Sequence, residues 1–456
     1  MTRIFFTVLL LCSVFSAAAK PPAGLGQLGH IVIVYLENRS FDHLFGLFPG
    51  AEGLNAAARA PAQVDEYGLV YDRLPPVMTM DQDDKPRTDA LFPADLPNRP
   101  FDLAPYVNPG DRHPDLTHRF FLHRMQIDGG RNDRFAQLSS AGGLTMGYYD
   151  LSRTALWRYA RQYTLADHFF QAAYGGSFLN HQWLICACTP RFPDAPENLK
   201  QWSNDPATGK PIRDPTVTPD GYVVNTLQPF HPPHHIQLSD PLLPPLTQST
   251  IGDRMSEKGI SWAWYAGGWN DAVADKKNDS RFQYHHQPFV YYENYRPDSP
   301  ARGEHLKDES DFFAAIETNR LPQVAYFKPV GIENQHPGYS DILAADRKVE
   351  RIVEAIRAKP ALWADTAILV TYDEYGGLWD HVAPPPGDRW GPGSRVPALV
   401  ISPFAKMGYV DHTVYDTTSI LRLLENRFGL APLSERDARA NGLEGAFDFR
   451  AAERKR

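Results

Sequence analysis

Two unbroken apolar runs, each closed by acids, set the first expectations. In "IVIVYLENRSFDHLFG" (residues 31–46) four branched apolar residues follow one another without alternation, and Glu37 and Asn38 end the run. "TAILVTYDEYGG" (366–377) repeats the layout and ends in Asp373 and Glu374. A run that is apolar on both faces marks a strand covered on both sides, as in a parallel sheet. Shorter runs at 260–268, 323–330 and 395–405 read as further strands. Helical spacing is present over 115–140 and 340–360, the second ended by Pro360. Residues 153–173 read as a helix leading into a strand, and 416–430 as a capped helix. Strands alternating with helices predict an α/β fold with a mostly parallel central sheet flanked by helices. Residues 52–112 and 190–250, rich in Pro and polar residues and without periodicity, read as long loop insertions, the first a candidate lid. One elaborated domain over 21–456 is therefore expected, rather than two independent ones.

Open α/β sheets gather their chemistry at the carboxyl ends of the strands. The two best strands both end in acids, so Glu37, Asn38, Asp373 and Glu374 are expected to meet in an oxygen-rich nest. Carboxylates do not cluster in a cleft without a cation or shared protons. Such a nest predicts one divalent ion, with Ca²⁺, Mg²⁺ or Mn²⁺ suited to hard oxygen ligands and Zn²⁺ or Fe also admissible. The plainer reading is carboxylates that cap helices or pair with arginines.

"YGGSFLNHQWL" (174–184) places Ser177 after two glycines at an expected helix start. Glycines allow a tight turn, and exposed N–H groups there favour an anion. Asn180 is placed to donate to a developing oxyanion; alternatively Ser177 is only an N-cap and His181 a core residue. Histidines recur in the polar loops, among them His113, His118, His123, His285, His286, His336 and His381. Imidazolium groups hold phosphate oxygens best below about pH 6.5, which predicts an acid optimum. G-x-S-x-G, Walker-type and dinucleotide glycine motifs are all missing from the sequence.

Net charge is −8 over 456 residues, and Lys and Arg are scattered, which argues against a nucleic-acid partner. Residues 1–20, "MTRIFFTVLLLCSVFSAAAK", have the layout of a secretory signal peptide, so a periplasmic or secreted protein is expected, with no stable membrane insertion after cleavage. Cys186 and Cys188 remain; so tight a ring is strained, and buried free thiols are expected rather than a bridge.

"ENRSFDHLFG", "GGSFLNHQWL", "FQYHHQPF", "TYDEYGGLWDHVAPP" and "GPGSRVPALVISPFAKMGYVDHTVYDTTSILRLLENRFGL" together resemble the bacterial phosphoesterase family of secreted acid phosphatases and phosphocholine-preferring phospholipases C, in the alkaline phosphatase superfamily. The matches run in order from residue 30 to about 430. The resemblance implies an alkaline-phosphatase-like fold acting on small phosphoesters. It makes Ser177 the nucleophile, forming a covalent phosphoserine. It makes Glu37, Asn38, Asp373, Glu374 and the Ser177 oxygen the metal set. Asn38, His118, Asn180, His285 or His286, and His336 become the phosphate-side residues, with His336 protonating the leaving group. His381 is implied as a ligand or an orienting residue. "DGGRNDRF" departs from the phospholipase pattern, and only about 25 residues follow the last helix; both favour an acid phosphatase, with phospholipase C as the alternative. That alternative needs an aromatic cage for the quaternary ammonium, for which "SWAWYAGGW" and "FVYYENY" are the candidates.

Overall fold

The computed structural model describes residues 24–80, 85–204, 211–233, 241–276 and 282–450. The expected signal segment, 1–20, lies outside them. Eight strands form one sheet: β1 (His30–Leu36), β2 (Thr164–Ala166), β3 (Trp262–Ala266), β4 (Leu306–Asp308), β5 (Val324–Lys328), β6 (Thr366–Tyr372), β7 (Ala398–Ile401) and β8 (Tyr409–Asp411). Their spatial order is β4-β3-β5-β1-β6-β7-β2-β8. β1 lies in the interior, parallel to β5 on one side and β6 on the other. Residues 31–36 and all seven of β6 are buried, which is why neither run alternates. β7 runs antiparallel to β6 and β2, and the other pairings are parallel, so the mostly parallel α/β expectation is borne out.

The flanking helices are α1 (Phe120–Ile127), α2 (Ala155–Gln162), α3 (Ser177–Cys186), α4 (Glu309–Glu317), α5 (Ile342–Arg357) and α6 (Thr418–Phe428). Asp341 caps α5 by accepting from the Ala344 N–H. The buried Asp346 of α5 in turn accepts the Ala155 and Leu156 N–H groups at 2.9 and 2.8 Å, tying the start of α2 to α5. The helical spacing over 115–140 yields only α1 and a short helix at Phe135–Leu138. Left-handed backbone at Asp128 and Gly129 breaks the run between them. Among the described residues no helix is long and apolar enough to cross a membrane.

One expectation is corrected here. Cys186 and Cys188 are disulfide-bonded. Ala187, at the end of α3, has φ 47, and this left-handed turn brings the two Cα atoms to 5.1 Å, well within bridging reach.

Candidate active site

Register decides the site. Leu36 pairs with Tyr372, so the chain leaves β1 and β6 side by side, with Glu37–Asn38 next to Asp373–Glu374. Asn38 turns through φ 61 and donates its N–H to Asp373 Oδ1 at 3.1 Å. The Arg39 N–H donates to the Glu374 carbonyl at 3.0 Å. The Gly376 N–H donates to Glu374 Oε2 at 2.6 Å and fixes that carboxylate. A Cβ on Gly376 would lie 2.3 Å from the Asn38 carbonyl oxygen, and its φ of +66 is one that side chains disfavour; the two turns fit only with glycine there.

The serine arrives from a third element. Gly175 has φ +82, and a Cβ on it would stand 2.6 Å from the Phe120 amide nitrogen. His123 Nδ1 accepts the Gly175 N–H at 3.0 Å. Asn180 is fully buried; its Oδ1 accepts the Ala173 N–H at 2.9 Å, and its Nδ2 donates to the Ala173 and Gly176 carbonyls at 3.2 Å each. Asn180 therefore ties the glycine turn rather than reaching for an oxyanion, which corrects the expectation made for it. The turn delivers Ser177 to the first position of α3. Its Oγ lies 3.4 Å from Asn38 Oδ1 and 3.5 Å from Glu374 Oε1.

Charge is not balanced within the nest. Glu37, Asp373 and Glu374 have no exposed surface. Lys328, the last residue of β5 and equally buried, places Nζ 2.8 Å from Glu37 Oε1. His286 Nε2 contacts the same oxygen, and the Tyr339 hydroxyl donates to Oε2 at 3.1 Å. Burial alone would raise the Glu37 carboxyl, but His286 and Lys328 hold it well below the usual range. The other two acids lack that help. Burial pushes Asp373 up to about 7 despite the opposing pull of Lys328. Burial, with Asp373 beside it, pushes Glu374 well above the carboxylate range. Asp373 Oδ2 is buried without a hydrogen bond, 3.8 Å from His181 Nδ1. A divalent cation fits this arrangement. Oxygens at right angles around Ca²⁺ at about 2.4 Å stand about 3.4 Å apart, the spacing of Ser177 Oγ from Asn38 Oδ1 and Glu374 Oε1. The carboxylates and histidines here also form candidate metal-holding groups, among them Glu37, His181 and Asp373.

Above the serine opens a cleft of about 290 Å³. His118, His285 and His336 line it. Backbone carbonyls accept from Nδ1 of His118 (Leu116, 2.6 Å) and of His336 (Pro337, 2.6 Å), which leaves Nε2 of each for the site. His118 Nε2 stands 3.3 Å from Asn38 Nδ2 and 3.6 Å from Glu374 Oε1. His286 is not in the wall but sits behind it against Glu37, so of the HisHis pair it is His285 that faces the cleft. The protein around it pushes His285 below the imidazole range, which works against a cationic phosphate holder at this position. His113 contacts Arg39, and His381 contacts Asp42 at 2.7 Å and stands apart from the nest. Val224, Asn225 and Thr226 of the second insertion form part of the wall, whereas none of the described residues of 52–112 does. The aromatic runs offered for a cage are core: Trp264, Phe289, Tyr291, Tyr292 and Tyr295 are at most 2% exposed. Lys328 and Tyr339 were not anticipated. A single lysine closing the apolar run "VAYF" was the available signal.

A serine at a helix start thus faces a buried acid nest at the carboxyl ends of an α/β sheet, an arrangement suited to a metal-assisted serine nucleophile. The chain belongs to the phosphoesterase family, whose model matches residues 28–431. It is a phosphoric ester hydrolase. It is 27% identical over 475 residues to phospholipase C A of Mycobacterium tuberculosis, covering 95% of this chain and 79% of that protein. It is 26% identical over 487 residues to the non-hemolytic phospholipase C of Pseudomonas aeruginosa, covering 97% of this chain and 61% of that one. A plant relative, non-specific phospholipase C1 of Arabidopsis thaliana, is 23% identical over 514 residues, covering 99% and 78%. Among solved structures, a protein of the alkaline phosphatase superfamily from Vibrio parahaemolyticus overlaps 73% of this chain and 76% of its own. Its TM-score is 0.35 at 10% identity.

Proposed function

We propose that this chain is a phosphodiesterase of the phospholipase C kind, cleaving phosphoesters through a phosphoserine at Ser177. The observation that carries the chemistry is Ser177 Oγ, held between Asn38 Oδ1 and Glu374 Oε1 at the floor of a histidine-lined cleft. The relatives named above carry the diester reading, and the acid-phosphatase expectation gives way to them.

Ser177 Oγ gives up its proton to solvent in the cleft and attacks phosphorus, and the alcohol leaves on the opposite side. His336 Nε2 gives that alcohol its proton. A water then attacks the phosphoserine and returns a proton to His336, and Ser177 Oγ leaves and takes a proton back from solvent. The N–H groups of the first turn of α3 have no partners within the helix and receive the phosphoryl oxygens. His118 positions the phosphoryl group beside Asn38. Glu37, Asn38, Asp373, Glu374 and Ser177 would hold one divalent cation, which would supply Lewis acidity to the serine hydroxyl and offset charge on phosphorus.

A second reading, a phosphomonoesterase of broad range, is favoured by one observation: among the described residues the cleft is lined by two aromatics, Tyr339 and the buried Phe178, a sparse set for caging a phosphocholine headgroup. Hydrolysis of p-nitrophenyl phosphorylcholine against p-nitrophenyl phosphate separates the two. The phospholipase reading requires the diester to have the higher kcat/KM; a preference for the monoester returns the chain to the phosphatases. Export fits both readings, since a disulfide persists in an oxidising compartment. Amino-terminal sequencing of the protein recovered outside the cytoplasm, with cleavage after Ala19, tests it.

A further inference from the structure

A second cluster of metal-ligating side chains lies on the same side of the sheet, beyond β7 from the serine cleft. Asp167 and His168 link β2 to the two-residue strand Phe169–Phe170, and His412 follows β8 on the way to Tyr415–Asp416. Ladders clamp both links from both sides, pairing Ala166 with Asp411 and Phe169 with Tyr415. The Asp167 N–H also donates to the Asp411 carbonyl, and the Tyr415 N–H to the His168 carbonyl. The backbone of both links is thus fixed independently of the contacts between the side chains.

Their ligand atoms converge. Asp167 is fully buried, and its Oδ1 lies 2.8 Å from His168 Nδ1 and 3.0 Å from His412 Nδ1. All three atoms fall within 4.8 Å of one another. Glu52 arranges the rest. Its carboxylate contacts His168 Nε2 at 2.9 Å, and its N–H donates to Asp167 Oδ2 at 2.8 Å. Without metal, His168 donates from Nδ1 to Asp167 and from Nε2 to Glu52; loss of the Nδ1 proton on metal binding, with Nε2–H kept by Glu52, frees the Nδ1 lone pair for the ion, the carboxylate–histidine arrangement that orients metal-ligating imidazoles. Ligands tetrahedral about Zn²⁺ stand about 3.3 Å apart, so the 2.8 and 3.0 Å spacings from Asp167 to the two imidazoles need to open by only a few tenths of an ångström to admit the ion. Arg395, which donates to the Asp167 and Glu52 carbonyls at 2.8 Å each, spends its remaining nitrogens on Asp42 and Asp380 and does not enter the cluster.

We propose that Asp167, His168 and His412 bind a borderline divalent metal, of the Zn²⁺ class, with Glu52 as the positioning residue and water at the open position beside the solvent-facing His412. Two imidazoles and one carboxylate select Zn²⁺ or Co²⁺ over the hard cations suited to the oxygen nest. The bound ion staples the ends of β2 and β8, the outermost pair of the sheet on this side.

The test is Co²⁺ titration of chelator-stripped wild type, His412→Ala and Glu52→Gln, read by visible absorbance and by metal bound per chain. His412 is 60% exposed, so its truncation leaves the fold intact. The wild type is expected to bind one more equivalent than His412→Ala and to show a four-coordinate Co²⁺ band that the variant lacks, while phosphoester hydrolysis is the same in both. Glu52→Gln is expected to weaken that equivalent about tenfold or more. Equal stoichiometry and equal spectra in wild type and His412→Ala would overturn the assignment.

Discussion

Lys328 carries a charge at a position with no exposed surface, and Glu37 is the reason. Removing one partner of a buried pair strands the other. Lys328→Met is therefore expected to cost about 3–5 kcal/mol in denaturant unfolding, and Lys328→Met with Glu37→Gln to recover most of that loss. A single variant as stable as wild type would contradict the pairing. Glu425 poses the opposite case. Burial, with Asp437 beside it, raises its carboxyl to about 8. The folded state then holds a proton that the unfolded chain releases near its ordinary value of 4.5. Stability contributed by this group is full below that value and falls as pH rises toward 8. Glu425→Gln is expected to flatten the fall in Tm over that window; an unchanged slope would argue against the raised carboxyl. The sequence disclosed the acids of the nest because they end their strands. It did not disclose that Lys328 faces Glu37, since that contact joins neighbouring strands far apart in sequence, nor that Asn180 serves its own turn.

Among elements, the nucleophile turn bears the tightest constraint. Gly175→Ala places a methyl against the Phe120 backbone at φ +82, and a cost of about 1–3 kcal/mol is expected, with activity falling further than stability because Ser177 moves. Circular dichroism and kcat together check this; full activity would mean that the turn tolerates a side chain. β1 and β6 were legible because runs buried on both faces need no partner to be recognised. The direction of β7 was not, for "PALVI" is as apolar antiparallel as parallel. Strands of three residues such as β4 and β8 carry too short a pattern to read, and they become strands only beside β3 and β2. The Cys186–Cys188 bridge escaped because it depends on the left-handed backbone at Ala187.

At the scale of the molecule, the sheet brings Glu37–Asn38 beside Asp373–Glu374, and the turn into α3 sets Ser177 between Asn38 and Glu374. Glu37 has Lys328 and His286, whereas burial raises the carboxyls of Asp373 and Glu374, so a cation that takes the place of their protons is expected to stabilise the nest. A divalent ion at a hundred times its Kd is expected to add about 2.7 kcal/mol, seen as a rise in Tm that chelator reverses and that Glu374→Gln diminishes. A Tm indifferent to metal and chelator would count against the oxygen nest. The central claim is that Ser177 takes the phosphoryl group, and its most direct measurement is mass spectrometry of the Ser177 peptide after acid quench during turnover of a p-nitrophenyl phosphoester. Phosphate on Ser177 in the wild type, with hydrolysis in Ser177→Ala lower by about a thousandfold or more, is the predicted result. A Ser177→Ala protein that hydrolyses the ester at the wild-type rate would contradict it.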